Sequence, residues 1–190
     1  MIWTIGHSNH PLEHFLEMLA AERIEFLVDV RSYPYSRFAP QFNREDLAAS
    51  LEAPMRYVFM GEELGGRPSK PEQYDADGHA LYGAMAQDDA FQAAVDRLID
   101  GARSHRIALM CSEGKPSDCH RRLLVGKVLT DRGLTLRHML PEGSVAEEHQ
   151  VKLASAPSQD QEALFSEGRE QWRSTQSVSR RRRLATSSTG

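Results

Sequence analysis

Residues Leu109–Leu124 read LMCSEGKPSDCHRRLL and hold both cysteines of a 190-residue chain. Seven residues separate Cys111 from Cys119, and His120 and Arg121 follow at once. A thiolate here would be a nucleophile, with His120 or Glu113 as general acid or base. Backbone N–H groups at a helix start, together with Arg121 or Arg122, would make an anion site. Two thiols can also cycle to a disulfide if their Cα atoms come within about 7 Å. Each cysteine also reads as a small core hydrophobe, Cys111 on its core strand more readily than Cys119. A tyrosine-phosphatase loop would need arginine where Ser117 stands, and a thioredoxin pair would need only two intervening residues. The spacing matches no common zinc pattern, so no metal is assigned and any cofactor is left unknown.

The elements that must position these groups alternate along the chain. Ile2–Gly6 (IWTIG), Phe26–Arg31 (FLVDVR), Met55–Met60 (MRYVFM), Arg106–Cys111 (RIALMC) and Thr135–Leu140 (TLRHML) read as strands. Between them lie helical patterns: Pro11–Ile24, REDLAASLE, a long stretch with a break near Asp88, and DCHRRLLVGKVLTDRG, ended by Gly133. Strand, helix, strand in repetition predicts an α/β single domain with a mostly parallel sheet of about five strands flanked by helices. The spacing puts Cys119 in the first turn of the helix after the fourth strand, with Ser117 or Asp118 as its cap.

Parallel sheets bind ligands at the carboxyl ends of their strands. The first strand ends in Gly6, His7 and Ser8: a glycine that lets a ligand approach the backbone, a histidine able to donate or carry a proton, and a capping serine or Asn9. The second ends in DVRSYPYSRF, where Asp29 and Arg31 fall on one side of the strand and either pair with each other or hold an anion. Tyr33, Pro34, Tyr35 and Phe38 add flat surfaces for stacking or for loop packing, and Ser36 lies among them. ELGGRP brings paired glycines, Gly65 and Gly66, as a turn or a further pocket wall.

Residues 1–145 carry 16 Lys+Arg against 21 Asp+Glu, and residues 146–190 carry 7 against 6. An acidic body is a poor general binder of nucleic acid, although a local pocket or the basic run Arg180–Arg183 would still attract it. No apolar run is long enough to span a bilayer, and the first residues lack the layout of a signal peptide, so no membrane partner is expected and the location expected is cytoplasmic. In that compartment the cysteines are thiols rather than a structural bridge. From Ala146 the apolar period fades into a polar C-terminal extension, weakly structured, with helix around 159–172 and disorder at the end.

TIGHS, DVRSYPYSRFAPQF, ELGG and CSEGKPSDCHR, followed by LRHML, occur in this order, and together they resemble the domain-of-unknown-function 488 family over roughly residues 1–145. The resemblance implies a compact α/β domain. It carries a motif over to Gly6, His7, Ser8, Asp29, Arg31, Pro34, Ser36, Gly65, Gly66, Cys111, Glu113, Cys119, His120, Arg121 and His138. It implies no particular reaction. Histidine, carboxylate, thiol and arginine gathered from separate strands exceed what fold stability requires. The expectation is therefore an enzyme acting on a small phosphorylated, nucleotide-like or otherwise anionic ligand. A non-catalytic anion or nucleic-acid binding module and a thiol redox sensor are the alternatives, and the oligomeric state is left open.

Overall fold

The computed structural model describes residues 1–155 and 171–178. Six strands, β1 (Ile2–Gly6), β2 (Phe26–Asp29), β3 (Arg56–Phe59), β4 (Ile107–Cys111), β5 (Leu136–Met139) and β6 (Val145–Glu147), form one sheet in the order β3-β2-β4-β1-β5-β6. The first five are parallel, and β6 runs antiparallel to β5. The fold is thus α/β, with one strand more than the sequence predicts. β6 is three residues long and mixed in polarity, VAE, so it carries no periodic signal of its own.

Every residue of β1 (IWTIG) and β4 (IALMC) is buried. A central strand of a parallel sheet, covered on both faces, takes such unbroken apolar runs. Their alternating side chains feed two cores. On one face Trp3, Ile5, Leu27, Ala108 and Met110 meet α1 (Leu12–Ala21) and α2 (Arg44–Ser50) through Phe15, Leu19 and Leu47. On the other, Ile2, Val28, Leu109 and Cys111 meet α5 (Asp89–Gly101) and α6 (Lys127–Asp131), with the short helices α3 (Gly61–Leu64) and α4 (Tyr82–Met85) alongside. The predicted break before the long helix is real: Asp88 caps α5 by accepting from the Ala90 N–H.

β2 leads away to β3 on one side, whereas β4 leads away to β5 on the other. The loops after these two adjacent strands therefore splay apart, and the crevice between them is the place where open α/β sheets bind ligands.

The helix after β4 starts differently from the sequence expectation. Pro116–Asp118 makes a turn of 3₁₀ helix, and Cys119 is extended (φ −107°, ψ 136°). Its carbonyl accepts from Arg122 N at 3.0 Å and from Leu123 N at 2.9 Å, so Cys119 itself is the cap residue. Arg121–Gly126 is then wound as a π-helix that runs on into α6. Neither Ser8 nor Asn9 caps α1, which starts after Pro11 without a side-chain cap.

Described parts of the C-terminal extension pack against the domain. After β6 comes α7 (Glu148–Ser155), and Glu148 accepts from His138 Nε2 at 2.7 Å and from Arg122 Nε at 3.0 Å. His138 Nδ1 is 2.8 Å from Thr4 Oγ1, so this fully buried histidine joins β1, β5 and α7 rather than the pocket. Residues 171–178 return across Gly78–Gly83. The helix expected around 159–172 lies outside the described residues except for positions 171 and 172, which are not helical, and Arg180–Arg183 lie outside them altogether.

Gly6 shows how closely β1 and the cysteine loop fit. A Cβ built there would sit 1.8 Å from the Glu113 carbonyl oxygen, so the glycine admits the loop rather than a ligand. Gly6→Ala is expected to lower unfolding free energy by about 1–3 kcal/mol in urea titration, the usual cost of overpacking; unchanged stability would mean that the loop is not held against β1.

Candidate active site

The crevice holds a cavity of about 320 Å³. Cys111, Glu113, Cys119 and His120 line it from one side, and His7, Arg31, Ser36 and Gly66 complete the predicted set that it brings together. Cys111 enters at the end of β4. His120 Nδ1 is 3.7 Å from its sulfur and 3.9 Å from that of Cys119. The other ring nitrogen of His120, Nε2, donates to the Val30 carbonyl at 2.8 Å. A carbonyl can only accept, so Nε2 keeps its proton and Nδ1 is left facing the sulfurs. The flat face of the ring rests on Gly66, where a Cβ would come within 2.6 Å of it.

The two thiols are driven in opposite directions. A hydrogen bond from the Cys119 thiol, with the positive His120 and Arg121 nearby, holds Cys111 well below the ordinary thiol range despite its burial. Burial pushes Cys119 well above that range, and its hydrogen bond to Cys111 adds to the effect. Burial works against a charged His120, but the negative Cys111 outweighs it and raises the imidazole pKa. These directions favour negative charge on Cys111 rather than on Cys119, and positive charge on His120 beside it. The three donor atoms lie within 4.8 Å of one another, which would also suit a thiophilic cation, one ligand short of a closed tetrahedral site.

Arg121 does not reach the ligand space. Its side chain is fully buried and donates to the Glu113 carbonyl and, at 2.8 Å, to the Gly114 carbonyl. The expected fork for an anion is thus a brace for the loop. Asp29 is equally remote: it receives Arg31 Nε at 2.9 Å and Nη2 at 2.6 Å, and the Tyr57 hydroxyl at 2.6 Å. Arg31 also donates from Nη2 to the Phe42 carbonyl at 2.8 Å, and its Nη1 lies 3.2 Å from His7 Nε2. That nitrogen accepts, because His7 Nδ1 donates to the Ser8 carbonyl at 2.9 Å and the ring stacks on Phe42 at 4.5 Å. Burial, then the Arg31 charge, lower the His7 pKa to about 4. In this geometry His7 accepts from Arg31 through Nε2 and helps to orient it.

Ser8 (φ 46°) uses its backbone N–H on the Ser112 carbonyl at 3.0 Å and does not line the cavity. Gly65 is pressed between Gly61 and Ser32, behind the cavity wall. Among lining residues that sequence reasoning missed, Arg67 is the most telling. Its backbone N–H is fixed by Ser32 Oγ at 2.9 Å, placing an exposed guanidinium at the rim. Its place directly after the paired glycines was the available signal. Tyr82, Ser112 and residues 174–176 also line the cavity, and nothing local in the sequence marks them.

The His7 environment has a pH signature. Unfolded, the imidazole titrates near its ordinary value of about 6.5; folded, it does so at about 4. Over that window the unfolded chain binds more protons, so the stability contribution is present above the upper value and is lost as pH falls to the lower one. Urea unfolding of wild type should weaken more steeply between these limits than that of His7→Gln; parallel slopes would contradict a buried neutral His7.

No curated protein and no solved structure matches this chain. The family model described as "Domain of unknown function DUF488" matches residues 11–128, well over half of the sequence. The match takes in the Asp29–Phe38 segment, the paired glycines and the whole cysteine loop, leaving out β1 and everything from β5 onward. On this evidence the chain belongs to the DUF488 family.

Proposed function

We propose that this protein is a cytoplasmic thiol-dependent enzyme in which Cys111 is the nucleophile and His120 its acid–base partner, acting on a small anionic substrate. The observation that carries the reading is the fixed chain from Val30 carbonyl to His120 ring to Cys111 sulfur. A nucleophile, a base within reach and a third group orienting that base make the recurring arrangement of covalent catalysis. Cys119 donates its S–H to the thiolate. Substrate would enter with its negative group toward Arg31 and Arg67, which line the same cavity. The phosphorylated or nucleotide-like character of the substrate is supported by these cations and by the exposed Tyr33 and Tyr35 rings, stacking surfaces beside them.

The loop itself adds to the case. The carbonyls of Cys111 and Ser112 accept from His7 N and Ser8 N, and those of Glu113 and Gly114 accept from Arg121. A peptide N–H points opposite to its own carbonyl. The N–H groups of residues 112–115 are therefore turned away from these anchors, an arrangement suited to an anion or a developing oxyanion. In the chemical step the thiolate electron pair forms a bond to the electrophilic centre while the bond to the leaving group breaks. The leaving group takes the proton from His120, and the neutral imidazole then activates the water or acceptor that releases the enzyme. Glu113, exposed at the rim, is a further candidate for proton transfer.

A second reading, the thiol redox sensor, is favoured by the closeness of the two sulfurs, within 4.8 Å. It requires that mild oxidation convert both thiols to one disulfide, visible as a mass loss of about two hydrogens. Catalysis by the thiolate is tested by the pH dependence of iodoacetamide labelling, followed cysteine by cysteine. Cys111 is expected to label with a midpoint below the free-thiol value of about 8.5, and His120→Asn to move that midpoint upward. A midpoint at or above the free-thiol value in wild type, unmoved by the substitution, would overturn the proposal.

A further inference from the structure

The cavity has a wall that the family-matched residues do not supply. Ser174, Thr175, Gln176 and Val178 line it, together with the cysteine loop and the segment after β2. They lie more than 40 positions beyond the last residue matched by the family model. The segment is pinned at several points. Trp172 Nε1 donates to the Leu123 carbonyl at 2.8 Å, and the indole meets Tyr82 edge-on at 6.2 Å. Ser174 N donates to the Ala80 carbonyl at 2.9 Å while its hydroxyl oxygen accepts from Ala80 N at 2.9 Å. Val178 N reaches the Gly78 carbonyl at 2.9 Å. Between these anchors Thr175 Oγ1 approaches the Asp118 carbonyl at 3.4 Å, next to Cys119.

Core packing explains Trp172 and Val178, and hydrogen bonds to Ala80 explain Ser174, but neither accounts for Thr175 and Gln176. Thr175 and Gln176 are exposed, yet they face the cavity rather than bulk solvent alone. The backbone carbonyl of Gln176 is used by Ser174 Oγ at 2.7 Å, which fixes the residue at the cavity wall and leaves its side-chain amide outside that bond. An amide presents both a donor and an acceptor, and carries no charge.

We infer that residues 171–178 are a strap that completes the substrate site, and that Gln176 is a specificity-determining residue contacting a neutral hydrogen-bonding group of the substrate. This rests on the reading of Cys111 as the reacting group. The substrate class follows from the two kinds of lining: an anionic group for Arg31 and Arg67, and an uncharged polar group, such as a hydroxyl or amide, for Gln176. Because the strap lies outside the family-matched residues, the pocket of this chain owes part of its selectivity to its own C-terminal extension.

The test compares the Cys111 alkylation rates of full-length wild type, Gln176→Glu and Trp172→Ala with neutral iodoacetamide and with anionic iodoacetate. Rates are measured at about pH 9.5, where even an ordinary thiol is ionised. The ratio of the two rates is then readable whether or not Cys111 has a depressed pKa, so loss of the catalytic reading and loss of the strap are distinguishable. A carboxylate at the wall should lower the iodoacetate-to-iodoacetamide ratio about fivefold, the effect of one like charge across a partly solvated cavity. Freeing the strap with Trp172→Ala should raise the iodoacetamide rate about tenfold, in the range set by local opening rather than global unfolding. Gln176→Glu, exposed and uninvolved in the core, keeps the test valid if Trp172→Ala fails to fold. An unchanged ratio in Gln176→Glu would overturn the assignment of Gln176, and wild-type rates for both reagents in a folded Trp172→Ala would overturn the strap.

Discussion

Arg121 is a fully buried cation with no ion pair among the described residues, and the cysteine loop is shaped by how that cation is satisfied. Its guanidinium donates to the carbonyls of Glu113 and Gly114. Burying a charge on main-chain dipoles is costly, and Nε has no hydrogen-bond partner among the described residues. The arrangement does more than hold a turn. It holds two successive carbonyls and leaves a positive charge near a thiol whose pKa it helps to lower. Gly6 is the counterpart on β1, since any side chain there would collide with the braced carbonyl of Glu113.

Charges around the cavity are arranged in two shells with different duties. Nearest the ligand space are Cys111 and His120, whose charged forms favour each other against the cost of burial. Behind them, Asp29 grips Arg31 through Nε and Nη2, Tyr57 closes the other side of that carboxylate, and neutral His7 accepts from Nη1. A guanidinium held at so many points does not swing toward an incoming anion. It supplies a fixed field, and a fixed field is what a site needs if charge is to be stabilised without reorganisation. Arg67, by contrast, is exposed at the rim, and only its backbone N–H is held, by Ser32 Oγ.

Much of this was legible in the chain itself. Unbroken apolar runs such as IWTIG and IALMC announce buried parallel strands, and the polar residues directly after them fall at the carboxyl edge by geometry alone. That logic gathers Cys111, His120, His7 and Arg31 without a structure. It fails where function depends on which way a side chain turns. Arg121 reads as an anion fork because arginine beside a helix start usually is one, and only the path of the loop shows that carbonyls occupy it. Cys119 reads as a first-turn residue, whereas it caps the helix, because the π-helical winding after it shifts the start. His138, at the end of the fifth apolar run, reads as one more polar residue at the strand edge, yet it ties α7 to the sheet through Thr4 and Glu148. Residues 174–176 are invisible to pattern reading, since Ser, Thr and Gln in an aperiodic stretch carry no signal until the chain returns to the cavity.

The account turns on one charge state, a Cys111 thiolate at neutral pH. Its most direct measurement is thiolate absorbance near 240 nm, recorded for wild type and for Cys111→Ser as pH is raised from about 4 to about 10. Wild type should show one thiolate equivalent already present at neutral pH and absent from Cys111→Ser, the expected signature of an ion-paired cysteine. Absorbance that rises only near or above the free-thiol value of about 8.5, alike in both proteins, would contradict the ion pair and the chemistry built on it.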